Sequence, residues 1–227
     1  MSLESIEVVA HQESGPYHRI IRFKSDSFSQ QAQPGHSLSV EGGRWPIWRS
    51  QSQQGWLELI YPLADEPTSL AELQVGERVN AELLSQDQFL SSPGQQHLLL
   101  ADSGGLPAIL YFSLELCRQK QAQLALFSSD DSWPFKPHPS QIIIPELPGH
   151  VIATIPILEQ RGIACRLIHS MGQPGCFDED IDLLAQHWLE QQRNKDVKLY
   201  SAGSKALGIK SKQLAENYSL TLQFIEL

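Results

Sequence analysis

The chain has 227 residues, enough for one large domain or two small ones, each with its own core. Apolar residues make up 41% and charged residues 19%, and the net charge of −9 comes without any run of Lys or Arg, so nucleic acid is not an expected partner. Met1–Ala10 lacks the basic and apolar regions of a signal peptide and no apolar stretch approaches a membrane span, so the chain reads as soluble and cytoplasmic with no membrane partner.

In chain order, the first part reads as β. Ile6–Val9 and Tyr17–Phe23 run or alternate apolar at strand length, His36–Val40 and Trp56–Tyr61 alternate with period two, and Arg78–Leu83 follows. Turn signals separate them at Ser14–Pro16, Gln33–Gly35, Gly42–Gly43 and Gly76–Glu77. Thr68–Leu73 is the one helical turn expected among these strands, with Thr68 or Ser69 as its N-cap. Short strands at this spacing indicate a barrel or sandwich.

The pattern changes at Ser91–Gly94, which divides the chain into expected domains 1–92 and 93–227. Beyond it, strands are expected at His97–Ala101, Gln123–Phe127, Gln141–Ile144, Cys165–Ile168, Val197–Ser201 and Leu220–Ile225. Helices are expected at Pro107–Gln119, Ile152–Arg161, Asp180–Gln192 and Lys205–Asn217. Such alternation means βαβ units and a parallel sheet.

Between the first of these strands and its helix lies the turn Ala101–Pro107, with Gly104 and Gly105 at its centre. A glycine turn there lets backbone N–H groups approach a pyrophosphate at the helix N-terminus, or serves only the backbone angles of the turn. Asp102 places a carboxylate beside the presumed anion site and opposes phosphate. Cys117, Cys165 and Cys176 contain no C-x-x-C pair, so neither a zinc knuckle nor a disulfide framework is supported. Cys117 reads as a small buried hydrophobe, and Cys176 as an incidental thiol whose pKa is raised by Asp178, Glu179 and Asp180. The eight histidines form no H-x-x-x-H pair, so no metal site is indicated, and no G-x-S-x-G elbow is present. Trp45, Trp48 and Trp56 serve either as packing or as an aromatic floor for a flavin, an adenine or a protein.

Ala101–Pro107 resembles the G-G-x-G-[IL]-x-P turn of the ferredoxin-reductase superfamily, and especially of the electron-transfer subunit of dihydroorotate dehydrogenase. Leu199–Leu207 is similar to the strand that ends in Cys-Gly-Pro in that family, and Pro34–His36 to its P-G-Q. Arg44-Trp45-Pro46-Ile47-Trp48 falls where the family has its Arg-x-Tyr-Ser or Arg-Pro-Leu-Ser flavin motif, and Thr68-Ser69 with Leu73 and Gly76-Glu77 where it has G-x-G-T-x-x-L…G-D.

The resemblance implies an antiparallel six-stranded Greek-key barrel followed by a parallel-sheet nucleotide domain. It implies an oxidoreductase or electron-transfer protein holding FAD and NAD(P)H between the domains, with a protein redox partner. Arg44, Trp45, Pro46, Ile47, Trp48, Thr68 and Ser69 would lie at the flavin, and Gly104, Gly105, Leu106, Pro107, Ala202 and Gly203 at the nucleotide. The chain departs from the pattern where it matters for binding. The flavin Arg and Ser positions read Trp45 and Trp48, Asp65-Glu66 stand where the family has glycines, and Ala202 replaces the Cys beside the nicotinamide. The sequence ends at Leu227, where the cluster-binding cysteines of the dihydroorotate dehydrogenase subunit would begin, so no iron–sulfur cluster is expected. The alternative implied by these departures is a degenerate relative acting as a binding or regulatory scaffold without flavin turnover.

Overall fold

A computed structural model describes residues 3–63, 69–93, 95–192 and 196–227. Period-two alternation produces six antiparallel strands: β1 (Leu3–Glu13), β2 (His18–Lys24), β3 (Ser37–Val40), β4 (Gly43–Gln51), β5 (Trp56–Pro62) and β6 (Arg78–Leu84). They close into a barrel in the order β1-β2-β5-β4-β3-β6. Alternate residues such as Ile6, Val8, Ile21, Phe23, Leu57 and Leu59 are fully buried, each contributing on the order of 1.5–3 kcal/mol. The β3–β4 hairpin turns through Glu41 (φ 50°) and Gly42 (φ 73°), the paired left-handed geometry that matches strand twist. Register breaks between Val8 and Ala10 and between Ile47 and Arg49 are β-bulges.

Two features of this half differ from the sequence expectation. Gly43–Gln51, read only as a motif, is a nine-residue strand despite Pro46. A further helix, α1 (Asp26–Gln31), stands between β2 and β3, so the 69–72 turn is not the one helical piece. The Ser25 hydroxyl accepts from the Phe28 N–H at 3.0 Å and buries Phe28 on the barrel, but six residues are too few to show a helical period. The second helix, α2 (Ser69–Glu72), begins at Ser69. Thr68 and the Asp65-Glu66 pair lie outside the described residues.

The rest is built from β7 (Gln96–Ala101), α3 (Leu106–Arg118), β8 (Gln123–Ser128), β9 (His138–Pro139), β10 (Ala153–Thr154), α4 (Pro156–Glu159), β11 (Ala164–Ile168), α5 (Ile181–Gln191), β12 (Val197–Gly203), α6 (Lys205–Tyr218) and β13 (Thr221–Glu226). Five parallel strands run in the order β11-β8-β7-β12-β13, with β9 and β10 as a separate pair. Leu98, Leu100, Leu124, Leu126, Leu199, Leu184 and Trp188 share one core.

Gln141–Ile144 is not a strand, and the helix expected over Ile152–Arg161 shrinks to the single turn α4. Arg166 on β11, 4% exposed, reaches the irregular segment before it. Its guanidinium donates to the carbonyls of Val151 (2.7 Å), Cys165 (2.7 Å) and Ile142 (2.6 Å), satisfying irregular backbone that neither helix nor sheet pairs.

The chain divides into two compact units, Met1–Phe89 with Ser132–Pro134, and Leu90–Asp131 with Phe135–Leu227. Ser132–Pro134 thus belongs with the barrel: Ser14 Oγ donates to the Pro134 carbonyl at 2.6 Å, and Trp133 is 4% exposed.

Candidate functional site

In the parallel sheet β7 and β12 are neighbours, yet β7 continues through α3 to β8 on one side and β12 through α6 to β13 on the other. This reversal is a topological switch point, and ligands of open α/β sheets bind outside the strand carboxyl ends there. The Asp102–Gly105 turn closes with Gly105 and Leu106 N–H groups donating to the Asp102 carbonyl at 3.1 and 2.9 Å. Pro107 sits in the first turn of α3, where its missing N–H costs nothing. A Cβ on Gly105 would overlap the Ala202 carbonyl, so this glycine is required for β7 and β12 to approach. Gly203 (φ 141°) faces Asp102, whose carboxylate a Cβ there would overlap.

The fold therefore brings together Gly105, Leu106, Pro107, Ala202 and Gly203, all but Gly104 buried within this group, while Gly104 is exposed on the rim. It also places at their centre a residue read from sequence only as a neighbour that opposes phosphate. Asp102 Oδ1 accepts from the Gly105 N–H at 3.2 Å and Oδ2 from the Ser204 N–H at 2.7 Å. Gly105 caps α3 and Ser204 caps α6, so one carboxylate rests against the positive ends of two helix dipoles. Along the same rim, Ser103 Oγ meets Ser129 Oγ at 2.9 Å, Ser170 Oγ donates to Asp130 at 2.6 Å, and Asp131 is exposed. The additional carboxylates make the rim more acidic.

The barrel residues are not gathered in this way. Arg44 is exposed, its Nη2 on Asp87 at 2.8 Å and its Nε on Ser37 Oγ at 3.3 Å. Trp45 pairs in register with the buried Leu38 and meets Tyr61 edge-on at 6.0 Å. The Trp45 indole N–H is buried without a hydrogen-bond partner. Tyr61 hydrogen-bonds His11 Nε2 at 2.5 Å while His11 Nδ1 lies 2.9 Å from the Leu73 carbonyl. Because a carbonyl only accepts, Nδ1 carries a proton, and in the neutral ring Tyr61 is then the donor to Nε2. Burial pushes the Tyr61 phenol up to about 12. Pro46 is half-buried opposite Ser37, Ile47 is fully buried, and Trp48 is buried at the β4 bulge. Ser69 Oγ donates to the Glu41 carbonyl at 3.0 Å.

Trp56 lies between two guanidinium groups, Arg22 at 4.2 Å and Arg49 at 5.2 Å from the ring. Arg22 also pairs with the buried Glu58, Nε at 2.8 Å and Nη2 at 2.5 Å. Arg49 also lies beside Trp48, its guanidinium 5.8 Å from that ring.

The cysteines are dispersed, and among the described residues no group of three metal-ligating side chains occurs. Cys117 is half-exposed rather than buried. Burial, not the neighbouring acidic residues, raises the Cys176 thiol to about 11, and it raises Cys165 to the same level. No described helix is long and apolar enough to cross a membrane.

No family model matches this sequence, and no curated protein does. Solved structures do match. The NADH-dependent reduced ferredoxin-NADP oxidoreductase, described for flavin-based electron bifurcation, superposes with a TM-score of 0.70 at 10% identity over 96% of this chain and 75% of that one. The ferredoxin reductase in carbazole 1,9a-dioxygenase, in its FAD apo form, gives 0.70 at 12% identity over 100% and 68%. The ferredoxin-NADP+ reductase from Plasmodium falciparum with 2′P-AMP gives 0.68 at 10% over 98% and 96%. At such identities the shared property is architecture: this chain has the fold of ferredoxin-NADP reductase-like proteins, a closed six-stranded barrel and a separate parallel sheet with helices.

Proposed function

We propose that this chain is a ferredoxin-reductase-fold binding or regulatory scaffold whose dinucleotide site is held by its own Asp102, and not an oxidoreductase driven by NAD(P)H. The observation that carries this reading is the pair of bonds from the Gly105 and Ser204 N–H groups to one carboxylate. A pyrophosphate needing those donors must displace two charge-assisted hydrogen bonds, together worth about 1–3 kcal/mol at this half-buried carboxylate. If the carboxylate stays nearby, repulsion of a like charge at 4 Å adds up to ~4 kcal/mol at a surface-like dielectric. The sum reaches about 5–7 kcal/mol, more than half of the binding free energy of a micromolar ligand. Ala202 in place of the cysteine of the family and the acidic rim at Asp130 and Asp131 favour the same conclusion.

A second reading keeps flavin on the barrel and takes electrons from a protein redox partner, as the likeness of segments 34–207 to the dihydroorotate dehydrogenase electron-transfer subunit suggests. The observation favouring it is Arg44, whose half-exposed ion pair with Asp87 is worth no more than about 1 kcal/mol and leaves the guanidinium free to turn to a diphosphate. FAD would then lie along β4, near Arg44 and Ser69, and no iron–sulfur cluster is proposed.

The test is thermal unfolding and the visible spectrum of the purified chain with FAD, NADH, NADPH and 2′-phospho-AMP. A ligand at ~100 times its dissociation constant adds about 2.7 kcal/mol of stability. The scaffold reading expects no stabilisation by any nucleotide. FAD stabilisation with a yellow complex that NADH leaves unbleached supports the second reading. Bleaching of bound flavin by NADH or NADPH overturns the claim that the dinucleotide site is closed.

A further inference from the structure

At the opposite end of the parallel sheet from Asp102, where β7, β8 and β11 begin and α5 ends, there is a recess of about 160 Å³. Its walls are Leu124, Ile144 and the indole of Trp188, and its polar lining comes from Gln96, Gln123, Gln192 and Glu146. An apolar cavity of about 150 Å³ holds one benzene-sized molecule, so this volume suits a body of six or seven heavy atoms.

Two amide oxygens in this lining are buried without a hydrogen-bond partner. Gln192 is 4% exposed, its Nε2 donates to Glu146 Oε1 at 3.3 Å, and its Oε1 is buried with no partner. A carboxylate can only accept, so the nitrogen of that amide must face Glu146 and the orphan atom is the oxygen. Gln96 Oε1 is likewise buried and unpaired. Gln123 is already spoken for, its amide exchanging two bonds with Ser113 at 2.7 and 2.9 Å. Two orphan carbonyl oxygens and a carboxylate beside an aromatic wall call for a ligand that brings several N–H donors and positive charge.

We infer that this recess binds a small organic cation, an amidinium or primary ammonium on a compact apolar body, with the head group between Glu146, Gln192 and Gln96 and the body against Trp188. The site is independent of the switch point at Asp102, at the other end of the strands. An anion would meet the Glu146 carboxylate as a like charge, so the chemistry discriminates by charge.

Benzamidine hydrochloride titrated into the full-length ¹⁵N-labelled chain tests this. Shifts are expected at the Trp188 indole N–H and the Gln192 side-chain amide, with none from benzoate, which has similar shape and opposite charge. Glu146→Gln should weaken binding about tenfold or more, as one charge-assisted hydrogen bond is lost. Gln96→Glu, which adds a second carboxylate at the recess, should tighten it, a result that misfolding cannot produce. Equal binding of benzoate, an unchanged affinity in both variants, or the absence of shifts at Trp188 and Gln192 overturns the proposal.

Discussion

The Asp102 carboxylate and the backbone N–H of Ser204 meet at 2.7 Å although 102 residues separate them in the chain. With the 3.2 Å bond from Gly105, this contact joins the N-termini of α3 and α6 through one side chain. The sheet places the β7 and β12 ends side by side, and Gly105 and Gly203 lack the Cβ atoms that would keep the two loops apart.

Replacing Asp102 by Ala therefore removes two hydrogen bonds to charge and leaves the Ser204 N–H to water, while the Gly105 N–H keeps the Asp102 backbone carbonyl. The expected loss is about 1–3 kcal/mol, since Asp102 is only half-buried. For a chain of this size that lowers the melting temperature by a few degrees, roughly 2–4 °C per kcal/mol. In the same variant, pyrophosphate or 2′-phospho-AMP should recover part of the lost stability, while the parent chain shows no such response. Scanning calorimetry with and without the anion checks both halves.

Gly105→Ala and Gly203→Ala should each cost more than Gly104→Ala. The first forces a methyl group onto the Ala202 carbonyl, and the second onto the Asp102 carboxylate at a φ of 141° that side chains rarely adopt. Gly104 has open space, its nearest neighbour being Asp102 Oδ1 at 3.6 Å. Losses of about 3 kcal/mol or more are expected at the buried pair and under about 1 kcal/mol at Gly104, measured by urea unfolding.

Arg166→Leu leaves the carbonyls of Ile142, Val151 and Cys165 without their donor. Desolvation lowers the pKa of this guanidinium, but the planar fork that reaches three acceptors is what the loop requires. Destabilisation of about 3 kcal/mol or more is expected, with new proteolytic cleavage between residues 135 and 155. Arg166→Lys should rescue little, because an ammonium cannot span the three carbonyls.

Stability should fall on both sides of neutrality. Burial raises Cys165 and Cys176 from 9.0 to about 11, and Tyr61 and Tyr200 from 10.0 to about 12. Between pH 9 and 12 the unfolded chain loses protons that the native chain retains, so stability decreases as pH rises. His36 and His97 are held below 6.5 by burial, so as pH falls below 6.5 the unfolded chain takes up protons that the native rings refuse, and stability decreases again. Urea unfolding across pH should show this plateau, and Cys165→Ala with Cys176→Ala should flatten the limb between pH 9 and 11. Native Cys117, the half-exposed thiol, should react first with Ellman's reagent.

Much of the fold was legible because burial leaves a local period. Ile21 and Phe23, or Leu57 and Leu59, point inward two residues apart, and α3, α5 and α6 were readable from apolar residues at helical spacing. Gln141–Ile144 was misread because three isoleucines in a row imitate a strand, whereas a distant arginine takes the Ile142 carbonyl. Helix α1 was missed because a single cap bond and one buried Phe define it. At the candidate site, the glycines announced a close approach, whereas the neighbours of Trp45, Leu38 and Tyr61, were legible only once the register of β4 was known.

The sequence by itself determined a β-rich first part followed by alternating strands and helices of a parallel sheet, because these follow from short-range periodicity and turn chemistry, and the resemblance added the barrel and the second of the two loops at the switch point. Only the tertiary structure decided that Asp102 occupies those loops, that Arg166 organises the segment before β11, and that Gln96 and Gln192 are left with unpaired oxygens. Each of these depends on which groups meet across tens of residues, and hydrogen-bond donors and acceptors declare their partners only once the chain has closed upon itself.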